Sequence, residues 1–234
     1  MPEKIDELVA GNHILAREKV LDAYGHVSVR DTDNPDRYFL SRSLAPELVT
    51  AEDVLSLDVA SSMPHTTDDR QLYLERFIHG SIYKARPDVN AVVHSHSPSV
   101  IPFGIVSSVP MKPVYHMSYF LGGGVPIYEI RHDAGMGDMM IGSVELGDAV
   151  ARVLADKSVA LMRGHGNVVV AASLPLAVYR AIYTEINARL QMQALSLGGP
   201  VNYLDAEEAR KMERIIDVTI QRPWELWKRN AQMP

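Results

Sequence analysis

The strongest constraint on the fold of this chain is a short apolar segment that runs directly into two histidines. The segment Val89 to Val93 is rich in branched apolar residues and is followed at once by His94-Ser95-His96. This pattern predicts a strand, bounded by Pro87 on one side and by a helix opening near Ser97-Pro98 on the other. Side chains two residues apart on a strand point to the same side, so we expect His94 and His96 to converge while Ser95 faces away.

Two further residues extend this pair to a candidate metal site. His165 lies between two glycines at a predicted turn between apolar strands, where packing does not require a large polar ring. Glu75 lies in a predicted helix from Arg70 to Arg86, where a buried carboxylate would be costly without a partner. Three imidazoles and a carboxylate suit Zn²⁺, Mn²⁺, Fe²⁺ or Co²⁺. The alternatives are a salt bridge between Glu75 and a neighbouring arginine, and a polar histidine pair on an exposed strand face.

Composition narrows the kinds of site and partner. The 234 residues contain no cysteine, so a metal must be held by nitrogen and oxygen atoms. A formal charge of −6 gives no support for nucleic acid or an anionic membrane as partner. The chain has neither a secretory signal pattern nor an apolar run of the roughly 18–20 residues that a membrane span needs. We therefore expect a cytoplasmic protein.

The order of apolar patterns predicts the architecture. A helical stripe covers about the first 22 residues, hairpin-like strands follow, and later helices are predicted at Val144–Leu154 and about Leu174–Leu197. Mixed hairpins and helices predict a three-layer α/β/α sandwich with a largely antiparallel central sheet. We expect a single domain over residues 1–234 with a C-terminal helical tail at about 206–234.

The segments around the candidate metal site resemble the class II aldolase/adducin family. The likeness is carried by Leu74 to His79, by Ile82 to His96, and by Met162-Arg163-Gly164-His165-Gly166, and it extends from the first helix to about Leu197. The resemblance implies a class II aldolase-like fold. It further implies His94, His96 and His165 as metal ligands, Glu75 as ligand or acid/base residue, and a homotetramer with sites near subunit interfaces.

Three departures from the sugar-phosphate aldolases of this family argue against a sugar phosphate. Those enzymes place two serines before the catalytic glutamate, whereas this chain has Tyr73-Leu74. They have a Gly-Asn pair in an early phosphate loop, and this chain has Gly25-His26. In the aldolases a tyrosine that acts as an acid is expected near a Tyr-Met pair, whereas this chain reads Tyr115-His116-Met117.

The remaining segments resemble the metal-dependent aromatic decarboxylases, at Phe39–Val49, Pro113–Met117 and Tyr179–Arg189. The likeness is strongest to decarboxylases of 3-hydroxy-2-methylpyridine-4,5-dicarboxylate, an intermediate of vitamin B6 degradation. It implies a small aromatic dicarboxylate substrate and a divalent metal, with Mn²⁺ favoured and Zn²⁺ as the second choice. The alternatives are a dihydroxyphthalate decarboxylase, an aldolase or epimerase acting on a sugar-derived substrate, and an adducin-like domain without catalysis.

Residue roles follow from this expected chemistry. Glu75 and His116 are the candidates for proton handling, because an acid must protonate the ring carbon after carbon dioxide leaves. His116 is equally consistent with a hydrogen-bonded interface residue.

A second substrate carboxylate needs a binding group as well. Arg42, beside Ser43, is the first candidate because guanidinium pairs bidentately with carboxylate, and Arg163 is the second. Ser28 and His26 are further candidates for the pocket wall. Either arginine can instead form a structural ion pair.

Overall fold

A seven-stranded sheet forms the centre of the molecule in the computed structural model, which describes residues 2–231. The strands are β1 (His26–Arg30), β2 (Arg37–Ser41), β3 (Val54–Asp58), β4 (Ala91–Ser95), β5 (Ile127–Tyr128), β6 (Val159–Met162) and β7 (Gly166–Ala171). Their order is β3-β2-β1-β4-β7-β6-β5, and every neighbouring pair is antiparallel except β5 and β6. This order places β4 at the centre, beside both β1 and β7.

Helices cover both faces of the sheet. They are α1 (Pro2–Arg17), α2 (Arg76–Ala85), α3 (Ile101–Ile105), α4 (Arg131–Ala134), α5 (Val144–Leu154), α6 (Leu174–Ser196), α7 (Ala206–Thr219) and α8 (Gln221–Ala231). Short 3₁₀ turns occupy Pro46–Leu48, Ala51–Asp53 and His116–Leu121. Helices α1, α6 and α8 pack together on one face, and α2 packs against α5 on the other.

The alternation of side chains along β4 separates the two cores. Ala91 and Val93 contribute to the core beneath α1 and α6, whereas Val92 contributes to the core beneath α2 and α5. His94, two residues after Val92, therefore faces the α2 side. The prediction of a three-layer sandwich with a largely antiparallel sheet is confirmed.

Three predicted helix boundaries were wrong. Helix α1 ends at Arg17 rather than near residue 22, and α2 begins at Arg76 rather than Arg70. Helix α3 begins at Ile101 rather than near Ser97-Pro98. The segment before α2 is not helical because its backbone is bonded elsewhere: the Gln71 carbonyl accepts from the Ser43 N–H at 2.7 Å. Glu75 consequently sits at the N-terminal boundary of α2 and not in the middle of a helix.

The C-terminal helices pack on the α1/α6 face. Trp224 and Trp227, whose role the sequence leaves open, are both buried in this core, and the Trp227 ring centroid lies 6.5 Å from that of Tyr183. Residues 232–234 of the predicted tail lie outside the described residues. Among the helices that are described, none is long and apolar enough to cross a membrane.

Candidate metal centre

Four side chains from separate parts of the chain meet at one end of the central strands. Glu75 precedes α2, His94 is on β4, His96 follows β4, and His165 lies in the turn between β6 and β7. One ligand atom from each residue can be chosen such that all four lie within 4.8 Å of one another. The structure thus brings together the four residues predicted from the sequence.

The three imidazoles surround the Glu75 carboxylate. The ring centroids of the three histidines are 5.0–5.2 Å apart. Glu75 Oε2 lies 3.3 Å from His94 Nε2 and 3.4 Å from His165 Nε2. The alternative salt bridge of Glu75 with a neighbouring arginine does not form, since Arg70 pairs with Asp68 and Arg76 bonds to backbone carbonyl oxygens.

The proton on the fully buried His94 can be assigned from its neighbours. Its Nδ1 lies 3.1 Å from the Asn167 carbonyl oxygen, which can only accept, so Nδ1 carries the hydrogen. In the neutral ring Nε2 then has no hydrogen and keeps its lone pair. This nitrogen has no hydrogen-bond partner among the described residues. A lone pair facing a carboxylate oxygen at 3.3 Å is repulsive unless a cation lies between them. The residues present therefore fit a divalent metal.

An outer carboxylate orients His96 in the same way. Its Nδ1 lies 3.0 Å from Oδ2 of Asp22, which leaves Nε2 for the cluster. Such carboxylate–histidine pairs are typical partners of metal-bound imidazoles, since they fix the ring orientation and raise its basicity. No sequence pattern pointed to Asp22, which lies 74 residues before His96 in the chain.

The protonation of Glu75 depends on these rings. Burial alone raises the pKa of its carboxyl group, but hydrogen bonds from His165 and His94, when these rings are protonated, outweigh burial and lower the pKa below its ordinary value. Burial lowers the pKa of His94, which favours the neutral imidazole that a metal requires. The two effects belong to different protonation states of His94; a divalent metal in place of the ring protons would keep Glu75 ionised and would bind the His94 lone pair.

A cavity of about 580 Å³ opens beside the cluster. Part of its wall is aromatic or apolar, formed by Tyr24, Leu72, Tyr73, Leu74, Met139 and Met140, and Asp138 also lines it. The side chains that can donate a hydrogen bond include those of His26, Ser43 and Gln71. Among the described residues that line it, none is lysine or arginine. Its volume is in the range of small-molecule sites.

Of the residues predicted to bind substrate, the structure places some at the cavity and others away from it. Ser43 lines the cavity. Arg42 does not, because its Nε is bonded to Asp53 at 2.7 Å. Arg163 forms an ion pair with Glu129 at 2.7 Å, and Ser28 is buried against other side chains.

His116 lies in a different place from the metal cluster. It is exposed at the start of its 3₁₀ turn and lines a separate cavity together with residues of α6, α7 and α8. Within one chain, the structure does not bring His116 to the cavity beside Glu75.

Buried histidines near this centre predict acid sensitivity. Burial lowers the pKa of His79 from 6.5 to about 3, so the unfolded chain binds a proton more readily than the folded one below pH 6.5. The contribution of neutral His79 to the free energy of unfolding is therefore fully present above pH 6.5 and is lost as the pH falls. We expect metal-free protein to lose about 2 kcal/mol from this residue between pH 7 and pH 5.

Urea unfolding at both pH values measures this loss. His79→Gln is expected to reduce the pH-dependent loss by about that amount, whereas His132→Gln, at an exposed position, leaves it unchanged. Equal pH dependence in His79→Gln and the unmodified protein would contradict the assignment.

Comparison of the sequence with known proteins shows the family to which this chain belongs. The family model described as "Class II Aldolase and Adducin N-terminal domain" matches residues 6–192. Decarboxylase tropJ of Talaromyces stipitatus is 37% identical, over 96% of this chain and 92% of its own length. The 3,4-dihydroxyphthalate decarboxylase of Arthrobacter keyseri is 27% identical, over 82% of this chain and 78% of its own.

A solved structure has the same architecture. The L-fuculose 1-phosphate aldolase from Glaciozyma antarctica superimposes with a TM-score of 0.77 at 22% identity, covering 97% of this chain and 88% of that one. At this identity, the likeness shows a shared fold.

Proposed function

This chain belongs to the class II aldolase and adducin family, and on that premise we propose that it is a divalent-metal-dependent decarboxylase of a hydroxylated aromatic or pyridine dicarboxylate. The family and the named decarboxylase relatives confirm the prediction of a decarboxylating enzyme. The substrate proposed first is 3-hydroxy-2-methylpyridine-4,5-dicarboxylate, of vitamin B6 degradation. A dihydroxyphthalate is the alternative, and the name of the Arthrobacter keyseri relative supports it.

The observation that favours this reaction over sugar-phosphate cleavage is the wall of the cavity before Glu75. Tyr73 is buried and its hydroxyl donates to the Leu44 carbonyl oxygen, so it is not free for a phosphate. Leu74 lines the cavity with an apolar side chain. A phosphate group needs several donors or cations, whereas a flat aromatic ring is favoured by an apolar wall.

Decarboxylation requires that an electron pair be stabilised. The bond between the ring carbon and the carboxylate carbon breaks, carbon dioxide leaves, and the electron pair remains on the ring carbon until a proton arrives. A divalent metal held by His94, His96, His165 and Glu75 would supply a Lewis acid that draws electron density from a substrate hydroxyl and its adjacent carboxylate. Glu75 lies on the cavity wall, where it can hold or move a proton.

The residues that recognise the substrate follow from the charges on the cavity wall. Arg42 is held by Asp53, so in this geometry it is not free to pair with a substrate carboxylate. Arg163 is likewise paired with Glu129. Ser43 has direct access to the cavity and is the member of the predicted set that we propose as a donor to the substrate.

His116 remains the second proposed acid, under one condition. In a single chain it faces a different cavity, so it can reach a substrate only if a second copy of the chain carries it there. We propose a homotetramer or a higher homo-oligomer, as the family resemblance implies, and such an assembly would supply the second copy. Mn²⁺ as the native metal, with Zn²⁺ as the alternative, a single domain over residues 1–234 and a cytoplasmic location also remain proposals.

Carbon dioxide release tests the proposed reaction. Protein loaded separately with Mn²⁺ and Zn²⁺ is incubated with 3-hydroxy-2-methylpyridine-4,5-dicarboxylate, 3,4-dihydroxyphthalate and L-fuculose 1-phosphate. We expect carbon dioxide from one of the dicarboxylates and no aldehyde from the sugar phosphate. His94→Ala serves as the inactive control, because it removes a proposed ligand. Aldehyde production without carbon dioxide release would reject the decarboxylase in favour of the aldolase.

A further inference from the structure

A chain of short contacts leads from the cavity wall into the interior between β1 and α2. Nδ1 of His26 lies 2.6 Å from Nε2 of His79, and Nδ1 of His79 lies 2.6 Å from Oγ of Ser28. The Ser28 hydroxyl lies 2.8 Å from the Tyr83 hydroxyl. All four side chains are at most 1% exposed. We call these four residues the His26 relay.

The hydrogens at the inner end of the His26 relay can be assigned by counting donors. The Tyr83 hydroxyl contacts the Ser28 hydroxyl, and burial raises the pKa of Tyr83, which keeps its proton in place. If Ser28 donated to Tyr83 instead, the buried Tyr83 O–H would lack an acceptor among the described residues, at a cost of about 1–3 kcal/mol. Tyr83 therefore donates to Ser28, and Ser28 donates its single hydrogen to Nδ1 of His79.

The same counting assigns the two histidines. Nδ1 of His79 accepts from Ser28, so the proton of the neutral ring is on Nε2. That N–H donates to Nδ1 of His26, which must then be the unprotonated nitrogen. His26 therefore carries its hydrogen on Nε2, at the ring edge not used by His79. His26 lines the cavity, and its ring centroid is 5.1 Å from that of His94.

The charge of the cavity wall indicates what this N–H can bind. An aromatic dicarboxylate that presents a hydroxyl and one carboxylate to the metal ligands has a second carboxylate to be bound. Lysine and arginine do not occur among the described residues of the wall, so within one chain that group must rely on neutral donors. A hydrogen bond to a carboxylate is charge-assisted and roughly twice as strong as one between neutral groups.

Resting on the proposed function, we propose that His26 is a substrate-binding residue whose Nε2–H donates to the second carboxylate of the substrate. His79, Ser28 and Tyr83 are positioning residues that hold His26 in this tautomer. His26 thus takes the role for which Arg42 was predicted from the sequence, and it selects dicarboxylates over monocarboxylates without a cationic side chain.

Two ligands that differ by one carboxylate test the binding role. Affinities of 3-hydroxyphthalate and 2-hydroxybenzoate for zinc-loaded protein are measured by calorimetry, with carbon dioxide followed so that any turnover is separated from binding; both have the hydroxyl and adjacent carboxylate, and only the first has the second carboxylate. His26→Phe is expected to weaken 3-hydroxyphthalate binding about 10–100-fold and to leave 2-hydroxybenzoate within about threefold. His26→Gln, which retains an N–H donor, should recover part of this loss. Zinc content is measured for each variant, and an equal loss for both ligands would overturn the proposal.

Nitrogen-15 spectra of histidine-labelled, zinc-loaded protein test the relay without a substrate. Protonated and unprotonated ring nitrogens have well-separated shifts, and we expect the His26 proton on Nε2. In Ser28→Ala, His79 is released from its tautomer, so the His26 signals should shift towards a mixture. A proton on Nδ1 of His26 in the unmodified protein would overturn the proposal. Absence of carbon dioxide release together with the expected spectra and ligand preference would reject the reaction and leave the His26 relay supported.

Discussion

Replacement of His94 by alanine is expected to abolish stoichiometric metal binding and, with it, turnover. His94 is fully buried, its Nδ1 is committed to the Asn167 carbonyl, and its Nε2 faces Glu75. Removing a partner in the outer shell of a metal site typically costs about 10–100-fold in metal affinity or activity, and removing a ligand costs more. We therefore expect more than about 100-fold weaker binding of both Mn²⁺ and Zn²⁺.

Calorimetric titration with each metal, with elemental analysis of the purified protein, measures this effect. Asp22→Asn is the graded comparison, since it weakens only the group that orients His96 and should lose about 10–100-fold. His132→Ala removes an exposed histidine and should change nothing. Circular dichroism establishes that His94→Ala is folded, and His96→Ala is the substitute if it is not. Undiminished metal content in a folded His94→Ala protein would overturn the ligand assignment.

The parts of the site that were predictable from the sequence are those that depend on local geometry. The alternation of side chains on a strand is a property of the backbone, so the placement of His94 on β4 followed from sequence spacing. The strong apolar periodicity of Val144–Leu154 likewise predicted α5 with the observed bounds, and Ser143 caps its first turn by accepting from the Leu146 N–H.

The parts that could not be predicted depend on contacts between distant segments. Nothing near Arg42 in the sequence indicates that Asp53, eleven residues later, holds its guanidinium. The late start of α2 depends on a backbone bond from Ser43 to Gln71, which competes with the helix. The pairing of His26 with His79 joins residues 53 positions apart. Each of these contacts requires the tertiary fold before the side chains can meet.

The β6–β7 turn approaches β4 so closely at Gly166 that adding a single methyl group there should strongly reduce folding stability. A Cβ atom there would lie 2.1 Å from the Ser95 carbonyl oxygen and 3.2 Å from the His96 Cα. Both neighbours are backbone atoms of the segment that holds two proposed metal ligands, so relief requires that this segment move. We expect Gly166→Ala to cost about 3 kcal/mol of folding free energy.

Metal affinity should fall as well, because β4 and the His165 turn would separate. We expect a loss of about 10–100-fold, comparable to that from replacing a residue that orients a metal ligand.

Two other glycines provide controls. The Cβ of Gly137→Ala would meet open space, and Gly137 has no positive φ, so this change should be neutral. Gly164→Ala meets its nearest side chain at 3.8 Å but has φ +64°, so it should lose only about 1–2 kcal/mol from backbone strain. Urea unfolding and metal titration of the three variants rank these effects, and a Gly166→Ala protein as stable as Gly137→Ala would show that the turn does not approach β4 this closely.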